Sequence, residues 1–413
     1  MYMIGQQLLR RGHKVRIHWS HVQVIVITHA YEPDRVGVRY LPGGMKVYYI
    51  PYGVIARQDT LPNFFALLPL LRSILLREQI DIVHAHQALS SMGHEGIFLA
   101  KCLGLKAVFT DHSLFGFSDV SAILTNKMLR FALTDVDHVV CVSHTGRENT
   151  VLRAHLAPDQ VSTIPNAVDA RNLYPDPARA PTARICIVVL SRLMYRKGID
   201  LLLTAIPRIC ALHTDVCFVI GGDGPKYVEL EQMRERCMLQ DRVALVGAVR
   251  QRDVRAHLTQ GHIFLNTSLT EAFGTSIIEA TSAGLYVVTT KVGGIPELLP
   301  ASMMTLADPC TEAIVDACSA AISRIRAGEH DPWAQHRIVT QMYSWEETTR
   351  RLEVVYKRAM AQPWRGYMER FARYRHVGGP IGGLIICLVV AAQMIIVTIL
   401  EWVYPVAHIA LVD

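Results

Sequence analysis

Asn266-Thr-Ser-Leu-Thr-Glu-Ala-Phe-Gly-Thr-Ser-Ile-Ile-Glu-Ala280 is the stretch on which the fold turns. Ahead of it, Gly261-His-Ile-Phe-Leu-Asn266 reads as a buried strand, and Thr275 to Ala283 reads as a helix closed by Gly284. Strand, tight loop and helix in that order leave the first helical amides without intrahelical acceptors, aimed at a loop where the helix dipole favours negative charge. Glu271 stands just before the helix and Glu279 on its second turn. A loop of this kind can hold a phosphate between two carboxylates that bind hydroxyls, which is the pattern of groups on a sugar nucleotide. The same residues also fit a capped helix on a parallel sheet with two solvated glutamates, and the stretch alone leaves both readings open.

The rhythm extends outward in both directions. Strands over 184–190, 216–220, 243–246 and 285–289 alternate with helices over 199–212, 226–237 and 252–260. An earlier series has strands over 22–27, 46–50, 81–85, 106–110, 138–142 and 161–164, with helices over 3–12, 63–78, 91–102, 120–133 and 143–154. Strands alternating with helices predict parallel sheets covered on both faces. Val15 to His21 also alternates and fits poorly between the first helix and strand. Tyr174-Pro-Asp-Pro-Ala-Arg-Ala-Pro-Thr182 reads as a linker. The expected organisation is therefore two doubly wound Rossmann-like domains, 1–173 and 183–343, joined by 174–182. Ligands of such folds bind at the carboxyl ends of the strands, so a cleft between the two domains is the expected site.

Length agrees: 413 residues suit two domains of roughly 150–200 residues each. A net charge of +6 is too mild to suggest nucleic acid. The nine cysteines form no C-x-x-C pair and no His/Cys cluster, which argues against zinc and fits a reducing compartment. Met1-Tyr-Met-Ile-Gly5 is too short for the apolar core of a signal peptide. The 51% hydrophobic content has a specific source in Ile381 to Leu400, twenty uncharged residues and about the length that spans a bilayer. A charged helix over 344–361, expected to cross back to the first domain, and a basic segment to about residue 376 precede it. That segment is expected to contact anionic headgroups, and its charge bias places both domains in the cytoplasm.

Three further groups bear on chemistry. Ser191-Arg-Leu-Met-Tyr-Arg-Lys-Gly198 follows the first strand of the second domain, and Arg192 and Lys197 there suit a diphosphate. Gly221-Gly-Asp-Gly-Pro225 ends the next strand, where Gly222 allows close backbone approach. Thr110-Asp-His-Ser113 places His112 at a strand end of the first domain, where an imidazole can position a sugar group. Each has a plain alternative: solvated cations, an unoccupied turn, a structural histidine. Asn166 reads as a turn residue. His84 and His86 alternate on one strand without further ligands and do not make a metal site.

Taken together, Ser-Arg-Leu-x-x-x-Lys-Gly, Gly-Asp-Gly-Pro and Glu-x7-Glu, in that order, resemble the retaining GT-B glycosyltransferases that use nucleotide sugars. Phe109-Thr-Asp-His-Ser-Leu-Phe-Gly-Phe117, Leu124-Thr-Asn-Lys127, Ile164-Pro-Asn-Ala-Val-Asp169, Tyr195-Arg-Lys-Gly-Ile-Asp200 and Gly261 to Phe273 are more specific. They resemble the family of catalytic subunits of phosphatidylinositol N-acetylglucosaminyltransferase. The resemblance runs from about residue 5 to the end.

It implies transfer of GlcNAc from UDP-GlcNAc to phosphatidylinositol, the first step of GPI-anchor synthesis, on the cytoplasmic face of the endoplasmic reticulum membrane. It also implies partner subunits, a single membrane span over 381–400 and no required metal or other cofactor. Arg192 and Lys197 would hold the diphosphate with the backbone of Gly274 and Thr275. Glu279 would bind ribose hydroxyls, and Glu271 and His112 would attend the sugar. Retention would follow a front-face path in which the departing phosphate helps deprotonate the inositol hydroxyl, with positive groups stabilising its growing charge. Family members begin with a strand and a Gly-Gly loop ahead of the first helix. This sequence shows neither, and Arg16 to Gln23 looks inserted. Two other classes fit the same residues: a non-catalytic, membrane-tethered subunit that binds nucleotide sugars, and a GT-B transferase acting on another lipid.

Overall fold

The computed structural model describes residues 2–11, 24–56, 59–60, 65–114 and 120–411. The alternating run Val15–His21 and the expected insert at 16–23 lie outside them. The chain forms two compact units, one of Met1–Val142, Gly146–Ile164 and Glu346–Asp413, the other of Ser143–Thr145 and Pro165–Trp345.

The first unit begins with α1 (Tyr2–Arg10), β1 (Ile25–His29), β2 (Gly37–Tyr40), β3 (Lys46–Ile50), a hairpin of β4 (Val54–Ala56) and β5 (Asp59–Thr60), and α2 (Leu68–Arg77). There follow β6 (Ile82–His86), α3 (Ser91–Cys102), β7 (Lys106–Asp111), α4 (Val120–Leu133), β8 (His138–Cys141), α5 (His144–Ala154) and β9 (Val161–Thr163). β6-β7-β8-β9 is a parallel sheet. Ala107, Val108, Phe109, Val139 and Cys141 are wholly buried, because helices cover both faces and every position along the strand must be apolar. Ser90 caps α3, its Oγ accepting the Gly93 amide at 3.1 Å. β1 pairs with β3 in parallel and β2 closes the far side antiparallel. Among the described residues no ladder joins β1 to β6, and β1 is half-buried throughout despite its apolar sequence.

The second unit comprises β10 (Ile185–Leu190), α6 (Ile199–Leu212), β11 (Val216–Gly221), α7 (Tyr227–Arg236), β12 (Val243–Gly247) and α8 (Val254–Leu258). It continues with β13 (Ile263–Asn266), α9 (Thr275–Ser282), β14 (Tyr286–Thr290), β15 (Met304–Ala307), α10 (Thr311–Arg326) and α11 (Pro332–Met342). The sheet order is β12-β11-β10-β13-β14-β15, all parallel. Strand order reverses between β10 and β13, so the loops leaving those two strands flank the switch point where such sheets bind ligands. The division between units falls after Ile164. The stretch 174–182, expected as a linker, belongs to the second unit: the Arg255 guanidinium lies 3.6 Å from the Tyr174 ring centroid and 3.7 Å from Asp176.

α12 (Trp345–Ala361) returns to the first unit, where Leu352, Val355 and Ala359 pack on Val108, Val140 and Ile164. α13 (Tyr367–Val403) is two helical arms meeting at Gly379 (φ 68°, ψ −169°), with Pro380 next. The arms fold against one another: Cys387 Sγ lies 3.6 Å from the Phe371 carbonyl, a pair that a straight helix would hold about 24 Å apart. The basic arm corrects an expectation. Its cations turn largely inward rather than toward headgroups. Arg370 is fully buried and pairs with Asp135, Arg365 stands 3.7 Å from the same carboxylate, and Arg373 donates to the Thr134 carbonyl at 2.7 Å. The Asp135 carboxylate and the carbonyls at the ends of α3 and α4 outcompete solvent for them. The apolar arm sets Ile386 and Val390 against Phe98 and Ala132 and leaves Ile381, Leu384, Leu388, Ile395 and Ile399 exposed. Arg72, 1% exposed, pairs with Glu401 and donates to the Tyr404 carbonyl at 3.1 Å.

Candidate active site

In the second unit three loops leave the carboxyl ends of β10, β11 and β13 and are laced together through backbone. The Ser191 amide donates to Gly221 O at 3.1 Å, Leu193 to Asp223 O at 2.9 Å, and Lys226 back to Leu193 O at 3.0 Å. The Leu269 amide reaches Arg196 O at 3.0 Å and Thr267 Oγ1 donates to Lys197 O at 2.9 Å. This lacing requires Gly222: its φ is 141°, and a Cβ there would lie 1.8 Å from the Ser191 carbonyl oxygen. Gly274, at φ 93°, supplies the left-handed turn that starts α9. The first acceptor within that turn is Gly274 O, used by Ile277 and Ile278. The amides of Thr275 and Ser276 are left as donors at the helix start.

Three of the expected donor residues, Arg192, Gly222 and Glu279, converge on this edge. A cavity of about 340 Å³ is lined by Ser191, Arg192, Gly222, Asp223, Ser276 and Glu279, among others. Arg192 is exposed and makes no ion pair among the described residues. Burial raises the Glu279 carboxyl above its ordinary value, against a lowering hydrogen bond with Gln251. A larger hollow of about 750 Å³, between β15 and α10, holds none of the motif residues, so chemistry rather than size selects the smaller one.

Lys197 and Glu271 meet directly. Their side chains bond each other, Nζ to Oε2 at 2.5 Å. In this structure the Lys197 ammonium is paired with the carboxylate expected to meet the sugar. Behind the pair lies a network that sequence reading missed. Asn266 Nδ2 donates to Thr289 Oγ1 at 2.9 Å, Ser268 Oγ to Asn266 Oδ1 at 2.9 Å, and Thr290 Oγ1 to Ser268 O at 2.5 Å. All four are buried. A satisfied buried network holds the loop under Glu271 rigidly.

In the first unit His112 follows β7, and it is not a lone histidine. Its Nε2 lies 3.1 Å from His86 Nδ1, with the rings stacked at 5.4 Å between centroids. His84, two residues before His86 on β6, lies against it at 4.3 Å between centroids with the rings tilted, and is held between Tyr356 Oη at 2.8 Å and Thr110 Oγ1 at 2.7 Å. Burial pushes His84 down to about 3 and His112 to about 4, and puts His86 well below 6.5, so all three are neutral at pH 7.

Two family models match: PIGA (GPI anchor biosynthesis) over residues 29–119 and glycosyl transferases group 1 over 171–324. The phosphatidylinositol N-acetylglucosaminyltransferase gpi3 subunit of Schizosaccharomyces pombe is 49% identical over 99% of this chain and 87% of its own length. The corresponding phosphatidylinositol N-acetylglucosaminyltransferase subunit of Homo sapiens is 47% identical over 98% of this chain and 82% of its own length. The chain belongs to this family. Its two parallel sheets have the GT-B fold. Sucrose-phosphate synthase from Thermosynechococcus elongatus superposes with a TM-score of 0.69 at 18% identity, covering 87% of this chain and 92% of its own. Anabaena HepE in complex with UDP does so at 0.61 and 18%, covering 70% and 82%. The relatives are named as subunits of a transferase, so the family works within a complex.

Proposed function

We propose that this chain transfers N-acetylglucosamine from UDP-GlcNAc to phosphatidylinositol with retention, the opening step of GPI-anchor synthesis, as the catalytic subunit of a membrane complex. The observation that carries this reading is the convergence of Arg192, Gly222, Ser276 and Glu279 on one cavity in a chain of this family. Glu279 takes the ribose hydroxyls. Arg192, Lys197 and the amides of Thr275 and its neighbour hold the diphosphate, stabilising the charge that grows as the glycosidic bond breaks. Glu271 meets the sugar. The departing phosphate then accepts the inositol proton on the face that it leaves. Microsomes carrying the full-length chain with its partner subunits, supplied with labelled UDP-GlcNAc and phosphatidylinositol, should yield a labelled glycolipid. No labelled lipid from that complex would end the reading and favour a non-catalytic subunit.

The helix over 381–400 anchors the chain as a single span of the endoplasmic reticulum membrane, with both units on the cytoplasmic side. A second reading of the anchor is favoured by Arg72, whose contacts with Glu401 and Tyr404 keep the far end of that helix on the first unit. This suits a helix lying along the membrane face. A glycosylation acceptor sequence placed after Val403 separates the two, since only a crossing helix delivers it to the lumen.

A further inference from the structure

His86 ends β6, and the pairing of His86 with Thr110 brings it beside His112 at the carboxyl edge of neighbouring parallel strands. Of its two ring nitrogens, Nδ1 is spent on His112. Nε2 is buried and has no partner among the described residues. A buried polar atom left unsatisfied in this way is costly, and native proteins seldom keep one without a reason.

The bond between the two imidazoles needs one proton between them. If His86 Nδ1 carries it, His86 Nε2 is a bare lone pair and His112 keeps Nδ1–H as a donor. If His112 Nε2 carries it, His86 Nε2–H has no acceptor and His112 Nδ1 is a lone pair. His84, clamped between Tyr356 and Thr110, lies against His86 with the two rings tilted by 30°. A hydroxyl group both donates and accepts, so it satisfies Nε2 in either arrangement. A carboxylate or an ammonium satisfies only one. Three imidazoles kept neutral by burial offer no net charge to a phosphate.

The geometry points to His86 as a substrate-contact and positioning residue, its Nε2 taking one hydroxyl of a polyol or sugar while its Nδ1 sets the tautomer of His112. This rests on the transfer reading above. The hydroxyl assigned is that of the inositol acceptor, and kinetics test the assignment.

The test uses the full-length chain in its complex, in membranes free of endogenous transferase, with chain abundance measured alongside rates. His86→Asn places an amide near the Nδ1 position, and His86→Gln reaches the Nε2 position. His86→Phe keeps the stack and loses both nitrogens. H86N should raise one KM roughly five- to tenfold, the worth of one neutral hydrogen bond, with kcat changed less than about twofold. H86Q should bring that KM back toward wild type while lowering kcat, because His112 is no longer oriented. H86F should lose on both counts. A rise in the KM for phosphatidylinositol supports the assignment, and a rise confined to the KM for UDP-GlcNAc overturns it. If wild type transfers and the three variants lose activity only in proportion to chain abundance, His86 is structural and the proposal is overturned. If wild type itself makes no labelled lipid, the transfer reading falls and this contact with it.

Discussion

Asp135→Ala should loosen the basic arm of α13 from the ends of α3 and α4. Arg370 is fully buried and Asp135 is 1% exposed. Without the carboxylate the guanidinium keeps one acceptor, the Lys101 carbonyl at 3.1 Å. Arg365, now 3.7 Å from Asp135, loses its nearest anion as well. Breaking a buried pair by removing one partner costs about 3–5 kcal/mol, since an uncompensated charge remains inside. Against a total stability of about 5–15 kcal/mol that is a large share. For a unit of this size it corresponds to a fall in melting temperature of roughly 6–20 °C. The purified chain in mild detergent, melted by intrinsic fluorescence, reports this, and limited proteolysis near Trp364 reports whether the arm has come away. Removing both charges together, as Asp135→Leu with Arg370→Met, should recover most of the loss, because well-packed apolar side chains often replace a buried pair at little cost. A single Asp135→Ala variant melting within about 2 °C of wild type would refute the reasoning.

Three further outcomes bear on the donor site. Glu271→Ala should cut glycolipid formation about a hundredfold or more while chain abundance stays near wild type; equal losses in both would assign it a structural role. Gly222→Ala should abolish UDP binding by calorimetry and destabilise the second unit, because its Cβ would overlap the Ser191 carbonyl at 1.8 Å. Glu279 has a raised folded value, so its contribution favours folding below the unfolded value of 4.5 and is lost as pH rises through the folded one. Glu279→Gln should therefore melt at or above wild type at pH 7 yet bind UDP more weakly, and a variant that melts lower at pH 7 than at pH 4.5 relative to wild type would contradict this.

The helices α3 and α6 are legible to the residue because their apolar spacing agrees with the boundaries that Ser90 and Gly198 set. α10 is equally periodic, with Ile314, Val315, Cys318, Ala321 and Ile322 on its buried face, yet the alternation read from the sequence stops at the strand over 285–289. β2 carries no such signal, since all four of its residues are exposed and only backbone pairing to β3 defines it. The donor loops are readable as motifs because glycine and paired charge announce close approach to a ligand. Their fastening is not: Asn266 and Thr289 meet across two strands, and only the register brings them together. The same holds for His86 and His112, twenty-six residues apart. The inward turn of Arg365, Arg370 and Arg373 is hidden for another reason. A basic run looks the same whether it faces lipid or a buried aspartate.

The break at Gly379 has a consequence for how the C-terminal region can vary. In an unbroken α-helix one inserted residue rotates everything beyond it by about 100°, so the faces of its two halves share one phase. Here the left-handed residue resets that phase between the arms. The face that Gly383, Ile386, Val390 and Gln393 turn inward is chosen by its own neighbours, whatever angle Arg370 takes upstream. Lengthening or trimming the basic arm should leave the apolar arm presenting the same side outward, provided the Gly-Gly-Pro corner keeps its place.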